Sequence, residues 1–387
     1  MQIMNVGILG AGAMGAGIAQ VAASAGHDVI LFDKNKNALT KASEKLQKIL
    51  NRLVVKERID DPTAKAIFGR IHFIENMTAF ENCNLIIEAI IEDLNIKKSV
   101  FKALEQIVAD DCIIASNTSS LSITAIASAC DHPSRVLGIH FFNPAALMKL
   151  VEIIPAVQTD QKIVLQSREL IENWGKLTVL AKDTPGFIVN RVARPFYGEA
   201  LRIAEEQIAD YATIDWAMTE LGGFRMGPFT LMDYIGNDVN YKVTCSVWEA
   251  FYYDPRYKPS FLQKEKVDAK FLGRKSGKGY YDYSADNINP EPNRDEDLGH
   301  QILERIVVML INEAADAVYL KIATPEDVDL AMTKGVNYPK GLLAWANLIG
   351  IGECVELLDE LHDYYKEDRY RCSPLLRDME AAEKMFF

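Results

Sequence analysis

The chain reads Asn5-Val6-Gly7-Ile8-Leu9-Gly10-Ala11-Gly12-Ala13-Met14-Gly15 near its start. A short apolar run typical of a buried strand leads into the pattern G-x-G-x-x-G, and a helical pattern follows. In this context Gly10 permits a tight turn, Gly12 lets the backbone approach a pyrophosphate and Gly15 lets the helix pack on the strand. The helix N-terminus presents N–H groups to the phosphates. The stretch therefore predicts the first βαβ unit of a doubly wound sheet, with a dinucleotide at its turn.

An acidic residue follows the glycine pattern at the spacing that such a site requires. Asp33 closes the next predicted strand, about 20 residues further on, where a carboxylate accepts a hydrogen bond from the ribose 2′-hydroxyl. A carboxylate there would repel a 2′-phosphate, which favours NAD over NADP. A glycine turn that binds nothing is the alternative interpretation of the glycines by themselves.

The first half of the chain alternates buried strands with amphipathic helices. Apolar runs such as 28–32 and 85–87 are continuous, as expected for strands covered on both faces. Helical patterns at 37–58 and 95–108 lie between such runs. This order predicts a Rossmann-type α/β domain over residues 1–183.

The pattern changes after residue 183, because the rest of the chain is predicted to be helical without intervening strands. A polar stretch at 285–297 predicts an exposed linker. The stretch 190–236 matches the sequence 114 positions later without a gap, which indicates a duplication. The sequence therefore predicts two related all-α domains, at residues 184–285 and 295–387.

Composition and charge exclude several classes of function. The chain has 387 residues, of which 49% are hydrophobic, and a formal net charge of −12. These values are typical of a soluble globular protein and argue against a long nucleic-acid footprint. The six cysteines are widely spaced and form no metal-ligand pattern. We expect a cytoplasmic protein with reduced thiols, no metal and no membrane contact, although residues 6–26 carry no charge.

One histidine of six has a distinctive position. His140 ends a predicted strand, so its ring should emerge at the carboxyl edge of the sheet, where open α/β folds bind ligands. Imidazole changes its protonation state near neutral pH and can accept a hydroxyl proton while hydride leaves the same carbon. Glu152 lies in an apolar strand and needs a partner if it is buried. His140 is one candidate for that partner, and a structural salt bridge is the alternative.

Two polar positions stay open on the evidence of the residues alone. The run 116–122 is rich in serine and follows a predicted strand end, but a helix cap and turn would use the same residue types. Asn190 begins the first helical repeat and could equally satisfy its own backbone.

The chain closely resembles the L-3-hydroxyacyl-CoA dehydrogenases, including 3-hydroxybutyryl-CoA dehydrogenase. The resemblance covers about residues 3 to 283 and rests on five ordered motifs: GAGAMGAGIAQ at 10–20, SNTSSL at 116–121, HFFNP at 140–144, MKLVE at 148–152 and DTPGFIVNR at 183–191.

This resemblance implies NAD-dependent, reversible oxidation of (S)-3-hydroxyacyl-CoA to 3-ketoacyl-CoA. It implies that His140 is the general base with Glu152 as its partner, that Ser119 and Asn190 hold the 3-oxygen, and that Asn143 supports the site. The cofactor-binding residues that it implies are Gly10, Gly12, Ala13, Met14, Gly15, Asp33, Glu92, Lys97 and Asn117. Glu92 and Lys97 match positions that contact the nicotinamide end of the cofactor.

The resemblance also bears on the phosphates of coenzyme A. Lys56 falls near the position of a phosphate-binding lysine in the family, although Lys45 or Lys48 would provide the same positive charge to the phosphates. Ser119 and Asn190 complete the predicted substrate-binding set.

The second helical copy departs from the simplest family members, in which the helical domain makes the dimer. It has Glu304 where the first copy has Asn190, so we expect it to keep the fold without the function. We predict a monomer in which the second copy packs on the first as an intramolecular pseudo-dimer, and a homodimer is the alternative.

Two other functions stay open. A hydroxyacid dehydrogenase similar to L-gulonate 3-dehydrogenase would share this architecture. A non-catalytic NAD-binding scaffold could use the duplicated helical segment as an interaction surface.

Overall fold

The computed structural model describes residues 4–285 and 288–387. The chain divides into two compact units, Met1–Phe187 and Ile188–Phe387. The predicted boundary at residue 183 lies four residues before the end of the first unit. Both predicted helical domains lie in the second unit, and their separation into two domains stays a prediction.

An eight-stranded sheet forms the centre of the first unit. Its strands are β1 (Asn5–Leu9), β2 (Asp28–Phe32), β3 (Ile71–Ile74), β4 (Leu85–Glu88), β5 (Ile113–Ser116), β6 (Val136–Phe141), β7 (Leu150–Pro155) and β8 (Leu177–Leu180). The strand order is β3-β2-β1-β4-β5-β6-β7-β8. Neighbours are parallel except for the antiparallel pair β6 and β7. This order confirms the predicted Rossmann-type fold.

Six α-helices accompany this sheet in the described part of the first unit. They are α1 (Ala13–Ser24), α2 (Lys36–Val55), α3 (Asp61–Gly69), α4 (Leu94–Glu105), α5 (Ile123–Ala127) and α6 (Gln161–Asn173). α2 buries Leu39, Leu46 and Leu50 along one face, as its periodicity predicts. It ends three residues before the predicted end at 58, because the backbone turns left-handed at Glu57, with a φ of 53°.

The sheet brings the predicted site to one edge. β1, β4, β5 and β6 run parallel, so their carboxyl ends meet at the same side of the sheet. The glycine turn follows β1, Glu88 ends β4, Ser116 ends β5 and His140 is the penultimate residue of β6. Side chains far apart in sequence therefore lie along one row of strand ends.

The described part of the second unit is helical apart from isolated bridges such as the one between Gly273 and Lys278. Its helices are α7 (Val189–Val192), α8 (Arg194–Glu205), α9 (Tyr211–Trp216), α10 (Pro228–Ile235), α11 (Asn237–Ala250), α12 (Phe261–Asp268), α13 (Glu296–Tyr319), α14 (Pro325–Gly335), α15 (Leu342–Ile349), α16 (Ile351–Tyr365) and α17 (Pro374–Ala381). α13 is largely buried and packs against α8, α15 and α17. None of the helices within 4–285 and 288–387 is long and apolar enough to cross a membrane.

The second unit repeats its local structure along the chain. α9, α10 and α11 begin 114 residues before α14, α15 and α16, respectively. In the first set, Asp215 accepts hydrogen bonds of 2.8 and 2.9 Å from two backbone N–H groups at the start of α10. In the second set, Asp329 accepts hydrogen bonds of the same lengths at the start of α15. Equivalent positions of the sequence therefore have equivalent contacts.

Two buried ion pairs join the two predicted helical segments in a crossed pattern. Arg191 contacts Glu313, and Arg305 contacts Glu199 at 3.1 Å. Arg305 and Glu313 lie 114 positions after Arg191 and Glu199. Arg191 therefore pairs with the equivalent of Glu199, and Arg305, the equivalent of Arg191, pairs with Glu199 itself. An interface with two-fold symmetry contains the same contact twice in this way.

Candidate active site

The antiparallel register of β6 and β7 places His140 directly opposite Glu152. Nδ1 of His140 lies 2.7 Å from Oε2 of Glu152. The imidazole is 5% exposed and the carboxylate is fully buried. With the carboxylate accepting, Nδ1 carries the proton and Nε2 presents its lone pair. The structure therefore brings together two residues whose pairing the sequence left open.

Aromatic rings hold the imidazole of His140 in place. The ring of Phe142 lies 4.5 Å away and that of Phe187 lies 5.9 Å away, between centroids. Because Glu152 and these rings restrict rotation, the Nε2 atom has a defined direction.

Two carboxylates fix the serine-rich loop after β5. Glu92 accepts hydrogen bonds from Thr118 Oγ1 at 2.5 Å and from the N–H of Ser119 at 3.1 Å. Glu88 accepts a hydrogen bond of 2.6 Å from Ser116 Oγ. The loop that carries Ser119 is therefore held by acidic side chains from the end of β4 and the segment after it.

Lys97 completes this network from inside the protein. Its ammonium lies 2.6 Å from Glu88 and 3.3 Å from Glu92, and the side chain is 1% exposed. Burial by itself would raise the pKa of Glu92, but the Lys97 ammonium and hydrogen bonds from Thr118 and Ser119 hold it below its usual value. The position of Lys97 in the sequence would have suggested a solvated lysine, because its partner Glu88 lies on another element.

Asn117 links two neighbouring strand ends. Its Oδ1 accepts a hydrogen bond of 2.8 Å from the backbone N–H of Phe141, next to His140. The residue predicted to bind the cofactor therefore also supports the strand that carries the histidine.

The glycine turn has the form that a dinucleotide needs. Gly10 has a φ of +107°, and a Cβ there would lie 2.6 Å from the carbonyl oxygen of Ala89. A Cβ at Gly15 would lie 1.8 Å from the carbonyl oxygen of Gly10, whereas one at Gly12 would meet nothing within 4 Å. Among the described residues, no side chain caps the start of α1. Backbone N–H groups next to the open face of Gly12 therefore fit a pyrophosphate.

Asp33 closes the other side of this turn. Its Oδ2 accepts a hydrogen bond of 2.9 Å from the N–H of Ala11, and its Oδ1 accepts one of 2.8 Å from the N–H of Asn35. Ala13 is exposed in the first turn of α1, while Met14 is half-buried against the core. The predicted cofactor residues of this region therefore lie around one turn.

A cavity of about 790 Å³ in the first unit contains the predicted phosphate-binding lysines. Lys45, in α2, and Lys56, which follows α2, line this cavity, and its described lining does not include Lys48. Arg52 and Arg58, within the helical segment predicted over residues 37–58, line the cavity too, and so do Lys149 and Lys176, which the sequence did not connect with this site. The described lining includes no acidic side chain, so the cavity suits an anion.

The remaining predicted site residues occupy different places. Asn143 is exposed in the loop after β6 and lines the cationic cavity. Asn190 lies in the second unit, in α7, and its backbone carbonyl accepts a hydrogen bond of 3.0 Å from Arg194.

Comparisons with known proteins give one family for both units. Residues 5–184 match the family described as 3-hydroxyacyl-CoA dehydrogenase, NAD binding domain. Residues 186–283 and 301–385 match the family described as 3-hydroxyacyl-CoA dehydrogenase, C-terminal domain. The second family thus matches both helical segments.

Similar proteins extend this match along the chain. The 3-hydroxyadipyl-CoA dehydrogenase of Escherichia coli K12 is 36% identical, with 99% of this chain and 98% of the relative covered. A probable 3-hydroxybutyryl-CoA dehydrogenase of Deinococcus radiodurans is 41% identical, with 72% and 100% covered. The crystal structure of 3-hydroxybutyryl-CoA dehydrogenase from Escherichia coli K12 has a TM-score of 0.94 at 36% identity, with 99% of each chain covered. Because sequence and fold agree, the chain belongs to the 3-hydroxyacyl-CoA dehydrogenase family of NAD-dependent enzymes.

Proposed function

We propose that this enzyme oxidises (S)-3-hydroxyacyl-CoA to 3-ketoacyl-CoA reversibly, with His140 as the general base and Glu152 as its partner. The observation that carries the proposal is the 2.7 Å contact between a histidine and a fully buried carboxylate at the ligand edge of the sheet. A general base must lie within hydrogen-bond distance of the proton that it removes, and its accepting nitrogen must be unprotonated. Glu152 meets the second requirement, because it accepts from Nδ1 and so leaves Nε2 of His140 free to accept the proton.

His140 and Glu152 divide the proton chemistry. Nε2 of His140 takes the proton from the 3-hydroxyl, and the ring becomes an imidazolium. Glu152 stabilises this positive charge through Nδ1. In the reverse direction the imidazolium returns its proton to the oxygen. When bound, NAD accepts the hydride from C3 at its nicotinamide ring.

Ser119 and Asn190 are proposed to donate hydrogen bonds to the 3-oxygen. Charge develops on this oxygen as hydride moves, so donors aimed at it lower the barrier. Ser119 is supported in this role by the rigid hydrogen bonds of its loop to Glu92. Asn143 is proposed to support the site from the loop between β6 and β7.

The cofactor residues are proposed on the fit of the glycine turn. Gly10, Gly12, Ala13, Met14 and Gly15 would hold the pyrophosphate, and Asp33 would accept from the ribose. We propose that Glu92 meets the nicotinamide end, because its carboxylate is partly exposed while that of Glu88 is not. Lys97 and Asn117 would act there through Glu92 and the strand ends they hold.

The cationic cavity is proposed to receive coenzyme A. Lys45 and Lys56 would bind its phosphates together with Arg52 and Arg58, since all four extend from α2 and the segment after it into one cavity without acids. Relatives are named for hydroxybutyryl and for hydroxyadipyl chains, so their names do not assign one acyl chain to this enzyme. The six free cysteines support the proposed cytoplasmic location.

The second helical copy is proposed to replace a partner subunit. The crossed pairs Arg191–Glu313 and Arg305–Glu199 support this idea, because they reproduce within one chain the reciprocity of a two-fold interface. We expect sedimentation velocity to give a monomer of 43.3 kDa. An obligate dimer built through the first helical copy would contradict the proposal.

A test of the activity measures NADH oxidation with 3-ketoacyl-CoA substrates, with NADPH as the control. His140→Gln is expected to retain NADH binding and to lose kcat by at least about 100-fold. His132→Gln changes an exposed histidine of the same unit and serves as the matched control. Unchanged turnover of His140→Gln would refute the assignment.

The same assay separates the two other candidates. An L-gulonate 3-dehydrogenase-like enzyme would oxidise free sugar acids and ignore acetoacetyl-CoA in the reverse assay. A scaffold would bind NADH without turning over any of these substrates.

A further inference from the structure

Arg194 differs from the other buried arginines of the second unit. Arg191, Arg256, Arg305 and Arg369 are all buried, and each forms at least one ion pair with a glutamate or aspartate. Arg194 is 8% exposed, yet within residues 4–285 and 288–387 no carboxylate lies within 4.0 Å of its guanidinium. Its hydrogen bonds go to neutral oxygens, the carbonyl of Asn190 at 3.0 Å and the hydroxyl of Thr244 at 3.4 Å.

The surroundings of Arg194 provide further hydrogen-bond donors. The guanidinium lies 4.9 Å from the ring centroid of Tyr197, and these two side chains and Thr244 line a small cavity. Tyr338, from the second helical copy, is 6% exposed, and its hydroxyl has no hydrogen-bond partner in the described structure. The ring of Phe196 lies 5.5 Å from that of Tyr197 and 5.7 Å from that of Tyr338, between centroids, so Tyr338 belongs to the same cluster of side chains as Tyr197 and Arg194. Burial is the main cause that raises the pKa of Tyr338, and the Arg194 guanidinium opposes the shift.

An unpaired buried cation is unfavourable unless an anion joins it. A guanidinium binds a carboxylate through two parallel hydrogen bonds, and a phenol hydroxyl can donate a third. Arg194 and the unpartnered hydroxyl of Tyr338, in the same cluster of side chains, therefore offer hydrogen-bond donors to a carboxylate.

The position of Arg194 relates this site to the proposed substrate. Arg194 begins the helix after the one that carries Asn190, and its Nε donates a hydrogen bond of 3.0 Å to the carbonyl of Asn190, so the two residues are neighbours. Asn190 is proposed to hold the oxygen on C3, and in a six-carbon chain C6 follows C3 by three bonds of about 1.5 Å each. A carboxylate at C6 would therefore fall within about one helical turn of the C3 oxygen.

We propose that Arg194 binds the terminal carboxylate of a dicarboxylic 3-hydroxyacyl-CoA, with six carbons in the acyl chain. This inference rests on the proposed function and adds the acyl specificity to it. Tyr338 donates a second contact, so the second helical copy contributes to substrate selection although it lacks an equivalent of Asn190.

Two substrates that differ at one group test this proposal. 3-Hydroxyadipyl-CoA and 3-hydroxyhexanoyl-CoA have the same chain length, with a carboxylate or a methyl group at C6. We expect wild-type kcat/KM to be at least about tenfold higher for the adipyl substrate. Arg194→Gln should lower kcat/KM about 100-fold for the adipyl substrate and less than about threefold for the hexanoyl substrate.

The control and a second variant keep the test decisive. Arg294→Gln removes the same charge from an exposed linker position and should leave the substrate ratio unchanged. Tyr338→Phe removes one hydroxyl and keeps the ring, so it reports on the site even where Arg194→Gln fails to fold. A loss confined to the adipyl substrate in Tyr338→Phe supports the proposal.

Equal kcat/KM for both substrates in the wild type, or an equal loss for both in the variants, overturns it while leaving the dehydrogenase intact. Oxidation of neither substrate would overturn the proposed function itself, and this inference with it.

Discussion

Glu152 is the residue on which the proposed role of His140 as a general base depends most directly. Its carboxylate is fully buried and 2.7 Å from Nδ1 of the imidazole. Attraction between opposite charges is stronger in a low-dielectric interior than in water. In the proposed mechanism the ring becomes an imidazolium, and the pair would then gain stabilisation that the neutral ring does not have.

Glu152→Gln should separate this electrostatic role from packing. The amide keeps the volume of the side chain but carries no charge, and it can donate to Nδ1 and favour the wrong tautomer. We expect kcat to fall by about 100-fold or more, while the affinity for NADH, measured by fluorescence titration, changes less than about threefold. Glu105→Gln is the matched control, because Glu105 is also buried but accepts from the N–H groups of Asp131 and His132. Equal losses of kcat in both variants would contradict the role of Glu152.

Residues inside contiguous motifs were the predictable part of the site. Gly10 and Asp33 follow strand ends and His140 is the penultimate residue of its strand, so their placement follows from the parallel sheet. The network of Lys97 could not be predicted, because its partner Glu88 comes from the end of another strand. The lining cations Lys149 and Lys176 were missed, because neither lies in the helical segment that carries Lys45 and Lys56, and a helix pattern does not show what its face meets.

At the scale of elements, one lysine fixes the loop between β6 and β7. Lys176 precedes β8, and its ammonium donates hydrogen bonds of 2.6 Å to the carbonyl of Ala145 and 2.8 Å to that of Met148. This loop carries Asn143 and forms part of the cationic cavity. A residue next to the start of β8 therefore shapes the connection between β6 and β7, the two strands that hold the proposed catalytic pair.

The same lysine should make stability depend on pH in the alkaline range. Burial lowers the pKa of Lys176 from 10.5 to about 8. Between these two values the unfolded chain binds more protons than the folded chain, so this group makes stability rise with pH. We expect the unfolding free energy of the wild type, relative to Lys176→Met, to rise between pH 8 and pH 10 by up to about 1.4 kcal/mol per pH unit.

Urea unfolding at several pH values would measure this effect. Lys162→Met changes an exposed lysine at the start of α6 and should show no such trend relative to the wild type. A constant difference between wild type and Lys176→Met from pH 8 to pH 10 would show that the lysine titrates as it does in the unfolded chain.

The sequence was informative about elements with long, regular patterns. The continuous apolar runs predicted β1, β2 and β4, and the helical periodicity predicted α2 and α4. β3 was missed because it is a four-residue edge strand that carries an exposed histidine, His72. The antiparallel pairing of β6 with β7 was also not foreseen, although it is the feature that aligns His140 with Glu152.

At the scale of the whole chain, the second unit concentrates buried charge where its two copies meet. Glu313 on α13 is fully buried and accepts hydrogen bonds from Tyr257 at 2.5 Å and Arg256 at 3.2 Å, in addition to its contact with Arg191. The equivalent residue in the first copy, Glu199, accepts from Tyr370 at 2.9 Å and pairs with Arg305. Such networks favour one arrangement of the copies, because an alternative packing would leave buried charges unpaired.

Glu313→Gln should therefore weaken the second unit strongly and change its response to acid. Burial would raise the pKa of Glu313, but Arg191 and Arg256 outweigh this and hold it below the unfolded value of 4.5. The stability that this carboxylate provides is thus complete above pH 4.5 and is lost as the pH falls through the lower folded-state pKa. We expect the variant to lose about 3 kcal/mol of unfolding free energy at pH 7, and its difference from the wild type to shrink below pH 4.5. Glu360→Gln, at an exposed position of α16, should match the wild type at both pH values in urea unfolding. A loss below about 1 kcal/mol in Glu313→Gln would place the network among weakly coupled surface pairs.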